Sequence, residues 1–329
     1  MFLANEKRYQ TMPYRRAGES GLLLPAISLG MWHNFSQNDS YARSKDMLFT
    51  AFDNGITHID LANNYGPPPG DAEITFGKII STDLKPYRDE LIISNKAGHE
   101  MWSGPYGDWG SRKSLIASCD QSLRRMKLDY VDIFYSHRYD PSTPLEETMC
   151  ALDQIVRSGK ALYVSLSKYP AEPLAKALDI LRELRTPVVL HQVRYSMLNR
   201  VVEDSVMELH KEKKIGCISF SPLAQGMLSS RYLNGIPADS RAAIGGFLKS
   251  GDVEQNHEKI LALNEIAQQR GQTLSQMAIA WQLHDDRVTS VIIGASSSAQ
   301  IIENLSSLEN LVFSSEELAA IDKITKENF

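Results

Sequence analysis

The feature that most constrains this chain is an alternation repeated eight times: a short apolar run, then a stretch with helical periodicity. The runs are AISLG (26–30), THID (57–60), LIISN (91–95), VDIFYS (131–136), LYVSLS (162–167), VVLHQ (188–192), CISFS (217–221) and SVIIGAS (290–296). SYARSKDMLFTAFDNG reads as a helix ended by Gly55. In SRKSLIASCDQSLRRMKLD, Ser111 can cap the start, and Leu115, Cys119, Ser122, Leu123 and Met126 share a face. EETMCALDQIVRSGK, EPLAKALDILREL, EDSVMELHKEKKIG and ILALNEIAQQRGQTLSQMAIAWQLHDD read the same way.

Strands separated by helices pair in parallel, because a parallel pair needs a crossover connection. Short, continuously apolar runs suit strands covered on both faces. Eight such units in 329 residues predict an α/β fold, a (β/α)8 TIM barrel forming a single domain over 1–329. A doubly wound open sheet uses the same alternation, but no G-x-G-x-x-G follows the first run. YRRAGESGLLLP (14–25) reads as an N-terminal β-hairpin turning at Gly-Glu-Ser-Gly, a plug for the barrel. After the seventh run, residues 229–252 carry Gly235, Pro237, Gly245, Gly246 and Gly251 and read as a long loop. Loops of that length are usually lids or binding loops.

Composition narrows the function. The net charge is −5, with no run of like charges, so neither nucleic acid nor an anionic membrane is an expected partner. Cys119, Cys150 and Cys217 lie far apart with no CxxC, which points to a reducing compartment. The N-terminus is charged where a signal peptide needs an apolar stretch, and no apolar run approaches the ~18 residues of a membrane span. A cytoplasmic protein is expected. His99 and Glu100 do not open an HExxH, and no histidine spacing suits a metal site; Walker A and GxSxG are also missing.

In a barrel, chemistry gathers at the C-terminal ends of strands. The second run ends in Asp60, with Tyr65 just beyond; Lys96 follows the third and His137 the fourth. Each alone has an ordinary structural role as cap, packing residue or solvated charge. Together, successive strand ends would bring four titratable groups to one mouth. Lys96 beside Tyr65 would lower the phenol's pKa, and Asp60 would hold Lys96 charged and aimed. Tyr65 could then donate a proton, and a neutral His137 could orient a carbonyl oxygen. None of the four can donate hydride; a nicotinamide cofactor would fill that gap.

With these residues the chain resembles the aldo-keto reductases, barrel oxidoreductases that use NADPH, from Tyr14 to about Ile321. Asp60, Tyr65, Lys96 and His137 match that family's catalytic tetrad, with Tyr65 as general acid. GMWHNF, NNYGPPPG, MWSGPYGDWGSRK and FSPLAQG look most like the bacterial branch that includes L-glyceraldehyde 3-phosphate reductase. The β subunits of voltage-gated potassium channels are nearby relatives. The resemblance implies that Gly30, Met31 and Trp32 line the nicotinamide end, with Asp60 beside them. It places Ser167, Lys168 and Gln192 on the carboxamide, although many members have Asn where this chain has Lys168. Phe220 would stack on the nicotinamide. Ser221, Leu223, Gln225 and Gly226 would follow the pyrophosphate, and Arg231 and Arg241 would lie in a belt over the cofactor. Gly294, Ser296, Gln300, Glu303 and Asn304, in GASSSAQIIEN, would hold the adenosine half. Some relatives carry a basic residue in that segment where this chain has Ser297 and Gln300, so NADH is the alternative cofactor.

The expected substrate is a small aldehyde such as L-glyceraldehyde 3-phosphate or a methylglyoxal-like compound. Trp32, Tyr65, Trp102, Tyr106 and His137 would wall it, with Arg112 as a cation for its phosphate or carboxylate. Two other functions fit parts of the pattern. A non-catalytic cofactor-binding regulatory subunit is disfavoured by His137, where the channel branch has Asn. An aldolase using Lys96 as a Schiff base is disfavoured by the adenosine segment. A homo-oligomer is compatible with the sequence, which does not fix the oligomeric state.

Overall fold

The computed structural model describes residues 2–186 and 188–326. The chain opens on the expected hairpin: β1 (Tyr14–Arg16) and β2 (Leu23–Pro25) pair antiparallel, with Tyr14 opposite Pro25. The eight apolar runs follow as β3 (Ile27–Gly30), β4 (His58–Asp60), β5 (Ile92–Ala97), β6 (Val131–Ser136), β7 (Ala161–Ser167), β8 (Val188–Arg194), β9 (Gly216–Phe220) and β10 (Val288–Ile293). Each pairs in parallel with the next, and β10 returns to β3, closing the barrel. The fold is a (β/α)8 TIM barrel.

The helices α1 (Tyr41–Asp53), α2 (Asp71–Ile80), α3 (Arg112–Met126), α4 (Leu145–Arg157), α5 (Ala171–Glu183) and α6 (Val206–Lys213) alternate with the strands. Ser111 caps α3 by accepting from the Ser114 amide at 3.2 Å, and all five residues expected on its inner face are buried. The 229–252 stretch is less irregular than its glycines imply. It holds a 3-10 turn (Ser230–Tyr232) and the short α7 (Arg241–Ile244), and α8 begins within it, at Ser250. Buried Tyr232, Ala242 and Leu248 pin it down. The long helical stretch after it divides into α8 (Ser250–Gln269) and α9 (Leu274–His284). Gly271 takes φ 67°, a left-handed conformation that suits glycine, and Thr273 restarts the helix by exchanging hydrogen bonds with Gln276. α8 buries a single stripe (Val253, Ile260, Leu263 and Ala267) whereas α9 is buried nearly all round, and apolar residues recurring on both sides hide the break in the pattern. Then come α10 (Ser298–Leu305) and α11 (Ser315–Lys326). No helix among the described residues is long and apolar enough to cross a membrane.

Two hydrophobic regions hold the molecule together. The larger lies between strands and helices; the smaller fills the barrel with Ile133, Tyr135, Val189, Leu190, Ile218 and Ile292. The hairpin belongs to the second: Ala17 and Leu24 are fully buried against it. The Arg15 guanidinium donates to the carbonyls of Leu283 (2.6 Å) and Val288 (2.8 Å), and the Glu19 amide to Lys214 (3.1 Å). These partners lie at or before the first residues of β9 and β10. The hairpin therefore closes the N-terminal end of the barrel and leaves the opposite mouth for the loops.

Candidate active site

Side chains alternate along a strand, so residues two apart face the same way. His58 and Asp60 on β4, and Ser94 and Lys96 on β5, meet inside the barrel. β5 runs through Lys96 to Ala97, two residues beyond the apolar run, so Lys96 is a strand residue with no exposed surface. Its ammonium donates to Asp60 Oδ2 and to the Leu61 carbonyl, both at 2.7 Å, and to Tyr65 Oη at 3.2 Å. Its three protons are thereby used. Because Tyr65 Oη accepts one of them, the phenol hydrogen is left to point elsewhere.

Asp60 is also held by Ser94 Oγ at 2.7 Å and by Gln192 Nε2 at 3.2 Å. A carboxylate only accepts, so Ser94 must donate to it and accept from His58 Nε2 at 2.9 Å. His58 Nδ1 is then bare and accepts from Ser28 Oγ at 2.8 Å, which in turn accepts from Ser290 Oγ at 2.6 Å. The direction of every bond in this buried chain follows from the charge on Asp60. Burial pushes His58 down to about 4, in keeping with a neutral ring.

Tyr65 stands in the turn after β4, half-buried, with its ring edge-on to that of His137 at 5.9 Å. Its pKa is raised well above the ordinary tyrosine value, first by burial and then by the negative charge of Asp60 and by Tyr135. This corrects the expected lowering: loss of water outweighs the nearby ammonium. The same loss of water lowers Lys96, with Asp60 opposing it. His137, directly after β6, is pushed well below the ordinary histidine value by burial, then by Lys96, Lys168, His99 and Arg138, so its ring is neutral. Its Nδ1 is buried without a partner. A bare acceptor there costs less than an orphaned donor, which favours the proton on Nε2.

The loop after β5 forms one wall. Its aromatic residues Trp102 and Tyr106 are exposed, and Lys113 lies 5.2 Å from the Tyr106 ring. Arg138 latches this loop: it donates to the Gly98 carbonyl (2.7 Å) and Asp108 (2.6 Å) and stacks 3.6 Å over Trp109. Arg112 is not brought to the mouth. It opens α3, its amide bonds Glu147 at 3.0 Å, and its guanidinium binds Gln154 on α4. On the opposite side Trp32 packs 6.4 Å from Tyr65 and 5.0 Å from Phe247 of the long loop.

The other residues singled out in the sequence follow the barrel order. The tetrad comes from β4, β5 and β6; the ends of β7, β8, β9, β10 and β3 form the remaining arc. Ser167 ends β7, and its hydroxyl is buried with no partner. Gln192 lies opposite it on β8. Half-buried Phe220 ends β9, and after it Ser221, Ala224 and Gln225 all take positive φ (58°, 46° and 61°), conformations that cost energy in non-glycine residues. Leu223 and Gly226 flank them. Gly294 follows β10 and borders open space, beside Gly30 and buried Met31 at the end of β3. Ser296 donates its amide (2.9 Å) and hydroxyl (3.1 Å) to Gln300, Glu303 accepts from Thr273, and Asn304 is buried. Arg231 is tied to Asp239 within the long loop at 2.9 Å, and Arg241 opens α7. A buried orphan hydroxyl, a flat ring and a strained backbone along one arc fit an extended cofactor such as a nicotinamide dinucleotide.

Sequence reasoning missed Ser94, His58, Ser28, Arg138 and His99. The first three stand two residues before Asp60, Lys96 or Gly30, on the same face, so strand alternation was the signal available. Arg138 adjoins His137, but its grip on Asp108 and Trp109 depends on the loop's fold.

A family model described as Aldo/keto reductase family matches residues 26–326. L-glyceraldehyde 3-phosphate reductase of Escherichia coli (strain K12) is 54% identical, covering 98% of this chain and 95% of its own. The protein of the same name from Escherichia coli O157:H7 matches equally, at 54% over 98% and 95%. The chain therefore belongs to the aldo/keto reductase family.

Proposed function

We propose that this oxidoreductase reduces small aldehydes to alcohols with NADPH, with L-glyceraldehyde 3-phosphate and methylglyoxal-like compounds as candidate substrates. The observation that carries this reading is the Lys96 ammonium, bound at once to Asp60 and to the Tyr65 oxygen. When bound, the nicotinamide supplies the hydride. Ser167, Gln192, Phe220, Ser221 and the 294–304 segment would hold it. The protein's part is positional and protic. His137, neutral, donates to the carbonyl oxygen and orients it. Tyr65 gives that oxygen a proton as negative charge develops on it. Burial keeps the phenol protonated until the oxygen becomes basic, and the Lys96 ammonium, bound to Tyr65 Oη, offsets part of the cost of the phenolate left behind. Asp60, anchored by Ser94 and Gln192, keeps Lys96 aimed.

The choice of NADPH rests on the family resemblance. The 294–304 segment contains no Lys or Arg, so NADH is the necessary comparison. The test is a fluorescence titration with each nucleotide followed by an aldehyde panel. Tighter binding of NADPH and its oxidation by aldehydes are expected. Turnover without nucleotide, or none with either, would overturn the reading.

A further inference from the structure

Lys96, Arg138 and Lys168 stand near one another at the barrel mouth, and the first two have carboxylate partners. Lys96 pairs with Asp60 at 2.7 Å and Arg138 with Asp108 at 2.6 Å. Lys168 has no carboxylate partner among the described residues. Its ammonium donates to His99 Nε2 at 2.8 Å, and the charges that act on it, Lys96 and Arg138, are both positive. Of these three, its positive charge is the one without a carboxylate among the described residues.

Its side chain also leaves the arc suited to a cofactor. The backbone turns out of β7 at φ 55°, and the amide is fixed to the Gln192 carbonyl at 2.9 Å. The side chain then crosses to the loop after β5, where the His99 ring meets the His137 ring edge-on at 4.5 Å. The ammonium therefore lies beyond His137, on the side of the aromatic loop.

We propose that Lys168, steadied by His99, binds the phosphate of a short phosphorylated aldehyde and acts as a specificity residue. The inference rests on the aldehyde-reductase reading above and identifies the group that recognises the far end of the substrate. A carbonyl held at His137 would direct the rest of a short aldehyde toward His99, whose ring lies 4.5 Å from that of His137 and whose Nε2 lies 2.8 Å from the Lys168 ammonium. A three-carbon aldehyde phosphate, roughly 5–6 Å from carbonyl carbon to phosphorus at bond lengths of ~1.5 Å, is of the same scale. Lysine suits this task as a point charge on phosphate. A neutral His99 accepts from Lys168 and aims it without offsetting its charge. Arg112, the cation expected from the sequence, is occupied on α4.

The test compares L-glyceraldehyde 3-phosphate with L-glyceraldehyde in the wild type and in Lys168→Met, with NADPH affinity titrated in parallel. The ratio of kcat/KM for the phosphorylated over the unphosphorylated aldehyde should fall about 10- to 100-fold, mainly through KM. An unchanged ratio overturns the proposal. So does an equal loss on both aldehydes with weakened NADPH binding, which would make Lys168 a cofactor residue. If the wild type reduces neither aldehyde, the functional reading fails and the anion site is judged separately, by thermal shift. Inorganic phosphate raising the melting temperature of the wild type but not of Lys168→Met supports the site; equal shifts refute it.

Discussion

Asp60 is a carboxylate with almost no exposed surface, and the residues around it exist to make that tolerable. A buried charge is costly unless paired and hydrogen-bonded. Lys96, Ser94 and Gln192 meet that need, and the chain through His58 to Ser290 carries the polarisation further in. Protonating His58 would put a donor on Nδ1 facing Ser28 and break the chain. The linkage sign follows. His58 has a folded value of about 4 against an ordinary value of 6.5, so the unfolded chain binds the proton more readily. Its contribution is full above pH 6.5 and is lost as the pH falls from there to about 4, on the order of 3 kcal/mol. The melting temperature should drop across that window, and the His58 ring signal in NMR should not titrate above pH 5. A midpoint near 6.5 would contradict the buried chain. The four titratable residues of the tetrad were legible because they stand out at strand ends. Their supports were not, since a serine gains meaning only from the inward register that points it at Asp60. The direction of the Tyr65 shift was misjudged for a related reason: proximity to a cation can be read from spacing, burial cannot.

Elements succeed here through close contact as much as through periodicity. Gly77 lies inside α2, and a Cβ there would stand 2.3 Å from the Arg125 carbonyl oxygen and 2.9 Å from Met126 backbone on α3. Neither neighbour is a flexible side chain that could yield. Beside it, fully buried Glu73 binds Arg125 and accepts from Asn95 at 2.6 Å, tying α2 to α3 and β5. Gly77→Ala should therefore destabilise the protein by about 1–3 kcal/mol through overpacking, despite alanine's better helix propensity. A lower urea midpoint with an unchanged slope would show it; a stabilised variant would mean the helices can separate freely. The strands were legible because burial on two faces writes short, continuously apolar runs, and most helices because one buried face writes a helical period. The break between α8 and α9 was hidden because apolar residues recur on both sides of it. The order within the long loop was hidden because glycines advertise turns, while the buried Tyr232, Ala242 and Leu248 that fix them are scattered.

At the scale of the molecule, the barrel separates stability from chemistry. The hairpin seals the N-terminal end with Leu24 and Ala17 in the barrel core, and the reactive groups gather at the other mouth. Leu24→Ala should cost about 2–5 kcal/mol, seen in urea unfolding, while folded enzyme keeps its turnover per molecule. A loss of turnover matching no loss of stability would place the hairpin in the chemistry instead. Sequence alone was enough for the barrel and its plug, because eight alternations and one turn signal specify them. It was not enough for the loop after β5 at this mouth, because Arg138 and Lys168 take their partners from a loop whose path no pattern encodes. The central claim is that Tyr65 delivers the proton at this mouth, and single-turnover reduction of an aldehyde by Tyr65→Phe with NADPH pre-bound tests it most directly. The account predicts a rate lower by roughly 10²–10⁴-fold with nucleotide affinity retained; a rate close to that of the wild type would contradict it.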